Sequence, residues 1–218
     1  MSAIKLSVPG TKRSLPEILS QVSILTQAQY PAWDDFVVRC PQATFFHRAG
    51  WQQIMEQAFG HKTWFLYAEE NGQIQGVLPL VEINSLLFGH SLSALPFCAY
   101  GGIAAVSDSA HSKLDQAAQS LASHLNVDYL EYRLREPQHP GWPTKDMYVT
   151  FRKVMDPDVE QNLLAIPRKQ RAMVRKGIKH GLQACVEPST ERFFTAYSFS
   201  LHRLGTPVFS RKYFSQWA

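Results

Sequence analysis

The spacing of apolar residues predicts two amphipathic helices in the first quarter of the chain. Over residues 30–40, apolar side chains recur every three or four positions, and Pro31 suits the first turn of a helix. A second helix is predicted over residues 49–59, where Gly60 is a natural end. Both helices have an apolar face that must pack on another element.

The hydrophobic period then changes to two, which predicts β-strands. Residues 63–69 and 73–83 read as two strands joined by Asn71 and Gly72, a pair that tolerates the positive φ of a tight hairpin. Pro79 within the second strand favours a sheet edge or a bulge, because proline has no N–H to give to a neighbour.

The rest of the pattern predicts a mixed sheet. A crossover helix is expected over residues 110–125, with residues 127–133 as a strand after it. Further strands are expected within 86–96, over 147–154 and at 184–186, and further helices after Pro157, from Pro167 to Gly181 and over 190–204. Hairpins early and a crossover helix later predict an α/β fold of the α+β type with a mixed sheet.

The sequence pattern changes after Met155, from alternating strand-like segments to helical segments, and this change predicts two domains. We expect a first domain over residues 1–155, with a loosely ordered tail over 1–20, and the start of a second over 156–218. The chain ends on Tyr213, Phe214 and Trp217, aromatic residues that are unusual at a terminus. They predict a helix whose partners are missing, so that the second domain is incomplete; the alternative is that they dock on the first domain.

Composition excludes several classes of protein. With 45% hydrophobic and 18% charged residues in 218, the chain is too apolar to be disordered as a whole. It has no run of about 18 apolar residues, and its N-terminus does not match a secretory signal. The three cysteines are far apart and form no metal-binding pair. We therefore expect a cytoplasmic protein without a bound metal.

The small net charge of +4 is concentrated in one predicted helix, residues 168–180, which contains no acidic residue. Four of its basic residues, at spacings of three, four and four, share one face: Arg168, Arg171, Arg175 and Lys179. Like charges so close repel one another, and an anionic partner would relieve the repulsion. The alternative is a solvated surface helix. A second basic cluster consists of Arg203, Arg211 and Lys212, and we also assign its Arg211 to substrate binding.

Familiar catalytic motifs are missing, and no catalytic residue can be named. The chain has no nucleophile elbow, HExxH, P-loop or GxGxxG sequence, and its histidines lack metal-ligand spacing. The sequence Tyr100-Gly101-Gly102 is either a turn between strands or a cleft where an extended ligand meets backbone amides. His47 is expected to have a structural role.

Six segments together resemble FemAB-related proteins associated with exosortase/PEP-CTERM systems, a branch of the Fem nonribosomal peptidyltransferases. They are residues 43–81, 95–105, 127–133, 139–151, 162–182 and 204–214. The most specific are IPRKQRAMVRKGIK and LGTPVFSRKYF. The resemblance covers nearly the whole chain from Gln42 onward.

The resemblance implies two tandem GNAT-like acyltransferase domains, of which the second is expected to be incomplete here. It implies transfer of an acyl or aminoacyl group to an amine on an acceptor related to the cell envelope or to exopolysaccharide. The donor is aminoacyl-tRNA or acyl-CoA, and the anionic partner of the basic helix is a donor or a lipid-linked precursor, with peripheral contact at the inner membrane as an option.

Two alternatives stay open. The first is a non-catalytic protein that uses the basic helix to bind nucleic acid or anionic lipid. The second is a GNAT N-acetyltransferase that uses acetyl-CoA, although the pyrophosphate loop usual in such enzymes is not matched. Under the leading hypothesis, Tyr100, Gly101 and Gly102 shape the cleft.

Overall fold

The computed structural model describes residues 2–4 (backbone only), 13–87, 89–136, 138–145 and 149–216. These residues form two compact units. The first unit comprises the described residues of Met1–Tyr148 together with Phe209–Gln216, and the second comprises Val149–Val208. That residues 156–218 begin a further domain stays a prediction, and Trp217 lies outside the described residues.

A seven-stranded mixed sheet runs through the described part of the first unit. Its strands are β1 (Ser2–Ile4), β2 (Ser23–Ile24), β3 (Lys62–Glu70), β4 (Gln73–Ser85), β5 (Gly89–Ala94), β6 (Ala104–Ala105) and β7 (Tyr129–Tyr132). The order is β1-β7-β5-β4-β3-β2, and β6 pairs with β4. Only β5 and β7 pair in parallel among these strands. The predicted α/β class with a mixed sheet is confirmed.

Eight α-helices are found in the described residues. They are α1 (Leu15–Ile18), α2 (Tyr30–Arg39), α3 (Gly50–Phe59), α4 (Asp108–Leu125), α5 (Val159–Leu164), α6 (Arg168–Lys179), α7 (Glu191–Arg203) and α8 (Arg211–Ser215). Short 3-10 helices lie at Gln27–Gln29 and Phe45–His47. The predicted helices over 30–40, 49–59 and 110–125 are confirmed to within two residues.

Alternation along β3 sends its side chains to two separate apolar layers, because successive residues of a strand face opposite sides. Trp64 and Leu66 pack in a cluster with Leu114 of α4. Phe65 and Tyr67 pack in the opposite cluster, which contains residues of α2, α3 and α8. The central strands are therefore covered by apolar side chains on both faces.

The predicted hairpin between β3 and β4 is confirmed. Asn71 and Gly72 both have positive φ, at 53° and 74°, as a two-residue hairpin turn requires. The strands pair from Lys62 with Glu82 to Glu70 with Gln73, with an irregularity between Ala68 and Glu69.

Two predicted strands are wrong where the structure describes them. Residues 149–154 and 184–186 are not in strands, because no neighbouring strand pairs with them and alternation alone cannot hold extended backbone. The rest of the first segment, residues 146–148, lies outside the described residues. Residues 15–18 of the expected loose tail over 1–20 form α1, whose Ile18 is buried, and residues 1 and 5–12 lie outside the described residues.

The second unit is a set of helices with local caps. The side chain of Asp158 accepts a hydrogen bond from the Glu160 N–H at the start of α5, and Gly181 follows α6 with φ of 67°. Among the described residues of this unit, no side chain is buried. Its helices thus form where the sequence predicts them, without an apolar core.

Candidate functional site

The strand beside β4 is interrupted in the middle of the sheet. Ala94 of β5 pairs with Leu80, and Ala104 of β6 pairs with Val77. Ala94 and Ala104 are ten residues apart, whereas their partners are only three apart. β5 and β6 are therefore one interrupted strand, and residues 95–103 make an excursion out of the sheet.

The excursion begins where the parallel strands β5 and β7 end. Ser93 pairs with Glu131 in the parallel ladder, and Gly101 then bridges Arg133 in the antiparallel sense. The polypeptide of the excursion thus fills the place where β5 would have continued along β7. In sheets with parallel strands, the carboxyl ends are the common place for ligands, because the loops there diverge.

A cavity of about 350 Å³ lies at this point in the first unit. Its lining comes from three segments, which are residues 42–47, 100–103 and 133–138; the residues concerned are Gln42, Thr44, His47, Tyr100, Gly101, Gly102, Ile103, Arg133, Leu134, Arg135, Glu136 and Gln138. The volume is in the range of small-molecule sites, at about 300–1,000 Å³. We call it the β5/β7 pocket.

The two glycines of the pocket are required by close backbone approach. A Cβ at Gly101 would lie 2.4 Å from the Ala94 carbonyl oxygen. Gly102 has φ of 150°, and a Cβ there would lie 2.5 Å from Leu134 Cδ2. Both carbonyl and amide of Gly101 bond to Arg133, at 2.8 and 3.0 Å. The predicted close approach of backbone at Tyr100-Gly101-Gly102 is therefore present.

Two bulky residues in the excursion have unfavourable backbone angles. Leu95 has φ of 50° and Phe97 has φ of 68°. A left-handed conformation costs a residue with a side chain about 1–2 kcal/mol. Leu95 is fully buried, and the Phe97 ring stacks on Phe59 with centroids 4.4 Å apart, so packing holds both in place. Strain maintained in this way is typical of functional loops.

His47 joins the first lining segment to the glycine turn. The Thr44 N–H donates to His47 Nδ1 over 3.1 Å, and the ring also hydrogen bonds to the backbone of Gly102. Burial lowers the pKa of His47 to about 4, and the Arg135 guanidinium acts in the same direction. The imidazole is therefore neutral at pH 7 and serves as a fixed hydrogen-bonding group, in agreement with its expected structural role.

The guanidinium of Arg133 is fixed by contacts with two other residues of the protein. Its Nε lies 3.0 Å from Glu131 Oε1, and its Nη1 donates to the Cys98 carbonyl oxygen over 3.2 Å. Burial raises the pKa of the Cys98 thiol to about 12, opposed only by the charge of Arg133. A thiol with so high a pKa is a poor nucleophile. The charge of Arg133 is balanced by Glu131, and the buried Cys98 thiol is poorly suited to act as a nucleophile.

The exposed Arg135 and the half-buried Tyr100 lie next to each other in the lining, and no side-chain hydrogen bond to either is found among the described residues. Arg135 Cζ lies 5.9 Å from the centroid of the Tyr100 ring. Among the described residues, no carboxylate forms an ion pair with Arg135. The Tyr100 hydroxyl is buried and makes no hydrogen bond to a described residue. The guanidinium and the hydroxyl are therefore two candidate ligand-binding groups of the pocket.

The basic residues predicted as a site lie on α6 in the second unit. Arg168, Arg175 and Lys179 are exposed, and the described residues place no carboxylate within ion-pair distance of them. Arg171 differs, because its guanidinium donates to the Leu164 and Ile166 carbonyl oxygens at 2.7 and 2.9 Å. Arg171 is thus engaged in capping α5.

Arg211 is the first residue of α8, which packs in the first unit. The Ser210 hydroxyl caps this helix by accepting from the Tyr213 N–H, and Tyr213 is buried beside Phe59. Arg211 is not one of the residues that line the β5/β7 pocket. The terminal aromatic residues Phe209 and Tyr213 therefore belong to the apolar layer of the first unit.

Sequence reasoning missed part of the pocket. It singled out Tyr100, Gly101 and Gly102, but not Arg135 or Glu136. The glycine pair was visible because two adjacent glycines between apolar strands demand an explanation. Arg135 and Glu136 gave no comparable pattern, because their position depends on where β7 ends beside the excursion.

Within the described part of the chain, no group of three or more His, Cys, Asp or Glu side chains could hold a metal ion. None of the helices in that part combines the length and the apolar character needed to cross a membrane. Neither the protein-family models nor the curated proteins searched contain a match to this chain. The geometry of the pocket and of α6 therefore carries the functional argument.

Proposed function

We propose that this protein is an acyl or aminoacyl transferase of the FemAB-related type, whose first unit is a GNAT-like domain. It transfers the group to an amine on an acceptor related to the cell envelope or to exopolysaccharide. The observation that carries the proposal is the β5/β7 pocket, which lies at the carboxyl ends of two parallel strands and is bordered by the excursion of residues 95–103.

The order of elements supports the GNAT-like assignment. Two helices, α2 and α3, precede the β3–β4 hairpin, and α4 then connects the two parallel strands β5 and β7. This order agrees with the fold that the resemblance implies. Gly101 and Gly102 allow the excursion to pack directly against the Ala94 carbonyl and the Leu134 side chain, which places its backbone in the lining of the pocket.

The chemistry of the pocket suits direct transfer between two bound substrates. Such a reaction needs the amine and the acyl carbonyl to be held together, a proton to be removed from the amine, and the oxyanion to be stabilised. It needs no covalent intermediate on the protein. The lining contains no cysteine or serine side chain, and the Thr44 hydroxyl lies 3.0 Å from His47 Nδ1 in a local turn.

Two lining side chains could accept a proton, His47 and Glu136. A pKa of about 4 makes His47 a weak base at neutral pH. Glu136 is exposed at the cavity.

The donor is a polyanion in either form of the proposal, aminoacyl-tRNA or acyl-CoA. The exposed cations of α6 supply a favourable surface for phosphates, since they have the same sign and share one helix face. Phosphate contacts of this kind position a ligand without reading its sequence.

The test of the proposed function is a transfer assay with the purified chain. Aminoacyl-tRNA and acyl-CoA are offered separately as donors, with a panel of primary amines as acceptors. Gln138→Trp places a large ring at the exposed rim of the pocket and is expected to reduce transfer at least tenfold. Gln161→Trp makes the same change on α5 in the second unit, as a matched control. No transfer from either donor, or equal loss in both variants, would contradict the proposal.

A second candidate function is supported by the exposed cations of α6. The chain would then bind nucleic acid or anionic lipid without turnover. The double substitution of Arg175→Gln with Lys179→Gln removes two cations. It is expected to make the dependence of the association constant for tRNA on salt less steep, with the slope of log K against log salt smaller in magnitude by up to about two. Saturable binding without transfer under any donor would favour this candidate.

A further inference from the structure

The lining of the β5/β7 pocket contains the exposed Arg135 and the Tyr100 hydroxyl, for which the described residues supply neither a hydrogen bond nor an ion pair. The Arg135 guanidinium lies beside the ring of Tyr100. In addition to burial, its positive charge lowers the pKa of His47 on another lining segment. The hydroxyl of Tyr100 is buried without a hydrogen bond. A buried hydroxyl without a hydrogen bond is unfavourable, so a ligand that bonds to it gains more than it would at an exposed site.

The charges around the pocket select the kind of anion. Arg133 is neutralised by Glu131 at 3.0 Å, and Glu136 follows Arg135 in the lining. His47 is neutral at pH 7 because its pKa is about 4. The two positive charges of Arg133 and Arg135 are therefore matched by the two negative charges of Glu131 and Glu136. Of the two arginines, Arg135 is the one that forms no ion pair with an acid among the described residues. A singly charged anion suits such a site better than a polyphosphate.

We propose that the β5/β7 pocket binds a carboxylate of the amine-bearing acceptor, through Arg135 and the Tyr100 hydroxyl. A guanidinium matches the two oxygens of a carboxylate in its plane, and the hydroxyl donates to one of them. Polyphosphate groups of the donor are excluded from this pocket. The proposal rests on the proposed function only for the amine; recognition of the carboxylate stands on the pocket itself.

The experiment compares two ligands that differ in the carboxylate alone. Binding of 6-aminohexanoate and of hexylamine is measured by ligand-observed NMR and by calorimetry at pH 7, with pyrophosphate as a third probe. We expect 6-aminohexanoate to bind roughly tenfold more tightly than hexylamine, as for one charge-assisted contact. Pyrophosphate is expected neither to bind the pocket nor to displace 6-aminohexanoate.

Variants assign the preference to named groups. Arg135→Gln is expected to make the two amines bind equally, and Arg135→Lys to retain part of the difference. Tyr100→Phe should weaken 6-aminohexanoate several-fold without destabilising the protein, because the hydroxyl has no protein partner to lose. Arg39→Gln, at an exposed arginine of α2 outside the lining, is the matched control and should change nothing.

The outcomes separate this inference from the proposed function. A carboxylate preference that depends on Arg135, with no acyl transfer from either donor, supports the inference and contradicts the function. Transfer to both amines at equal efficiency supports the proposed function and contradicts the inference. Equal binding of the two amines, a preference that survives Arg135→Gln, displacement by pyrophosphate, or no binding of 6-aminohexanoate at millimolar concentration overturns the inference.

Discussion

Both units contain helices with an apolar face, but this face is buried in the first unit and exposed in the second. In the first unit, Leu114 and Leu121 of α4 are fully buried against the sheet. In the second unit, Ile178 of α6 and Phe199 of α7 are 67% and 64% exposed. Caps and periodicity therefore decide where a helix forms, whereas its stability depends on what covers the apolar face.

This difference predicts how each unit responds to substitution. A buried side chain contributes transfer free energy and packing that are lost when it is truncated. An exposed side chain has little to lose in the isolated chain, so its role must be sought in binding.

Truncation of a core residue should separate the units most clearly. Leu80→Ala removes a fully buried side chain from β4 and is expected to cost about 2–5 kcal/mol of unfolding free energy. Phe199→Ala in α7 should change it by less than about 0.5 kcal/mol. Urea unfolding followed by fluorescence of the buried Trp33 and Trp64 measures the first, and far-ultraviolet circular dichroism, which reports the helices of both units, measures the second. A large effect of Phe199→Ala would show that its face is covered in solution.

The second prediction concerns His47 and pH. Its pKa is about 4 in the folded protein and about 6.5 in an unfolded chain, because burial disfavours the charged imidazole. As the pH falls from 6.5 to 4, the unfolded chain takes up the proton first, and the folded state loses about 3 kcal/mol. Above pH 6.5 this contribution is fully present.

The measurement is the pH dependence of urea unfolding for the wild type and for His47→Gln. The variant should lose the corresponding slope between pH 6.5 and 4, although its stability at pH 7 is lower. His202→Gln, at an exposed histidine of α7, is the matched control. Parallel pH profiles for wild type and His47→Gln would contradict the buried, neutral imidazole.

Much of the sheet and its helices could be predicted because their evidence is local. The positions of α2, α3 and α4 follow from apolar spacing, and the β3–β4 turn follows from Asn71 and Gly72. The predicted strand at 184–186 had the same local appearance but no partner strand. Strand pairing depends on residues distant in sequence, so alternation alone was insufficient there.

The pocket could be predicted only in part for the same reason. Pro79 indicated an irregularity, and it lies on β4 between Val77 and Leu80, opposite the break between β5 and β6. The irregularity is in the neighbouring strand, whereas the sequence suggested an edge or a bulge at Pro79 itself. Tyr100-Gly101-Gly102 marked the excursion. The partners of this segment, including Arg133, could be known only from the fold.

The third prediction compares two glycines with positive φ. Gly102→Ala combines φ of 150° with a Cβ placed 2.5 Å from Leu134, and should cost about 2–3 kcal/mol. Gly181→Ala, after α6, has φ of 67° but nothing within 4 Å of the added Cβ, and should cost about 1 kcal/mol. Urea unfolding reports the first, and amide exchange of α6 reports the second.

Leucine at position 134 gives a check on the cause. If the clash contributes, Leu134→Ala should recover part of the loss in a double variant with Gly102→Ala, because the Cβ then meets open space. Recovery absent in that double variant would assign the whole effect to backbone strain. Equal costs for Gly102→Ala and Gly181→Ala would contradict the close approach at the pocket.

The smallest expected effects separate two arginines on the same face of α6. The Arg171 guanidinium donates to the Leu164 and Ile166 carbonyl oxygens, so Arg171→Gln should raise the amide exchange of α5 by a factor equivalent to about 1 kcal/mol. Arg175→Gln should leave that exchange unchanged, because the exposed Arg175 makes no such contact among the described residues. In tRNA binding the order should reverse, with Arg175 the more sensitive position, since its charge is free for a phosphate. Equal effects of the two substitutions in both measurements would mean that α6 acts as a uniform charged face and that the cap on α5 has no independent role.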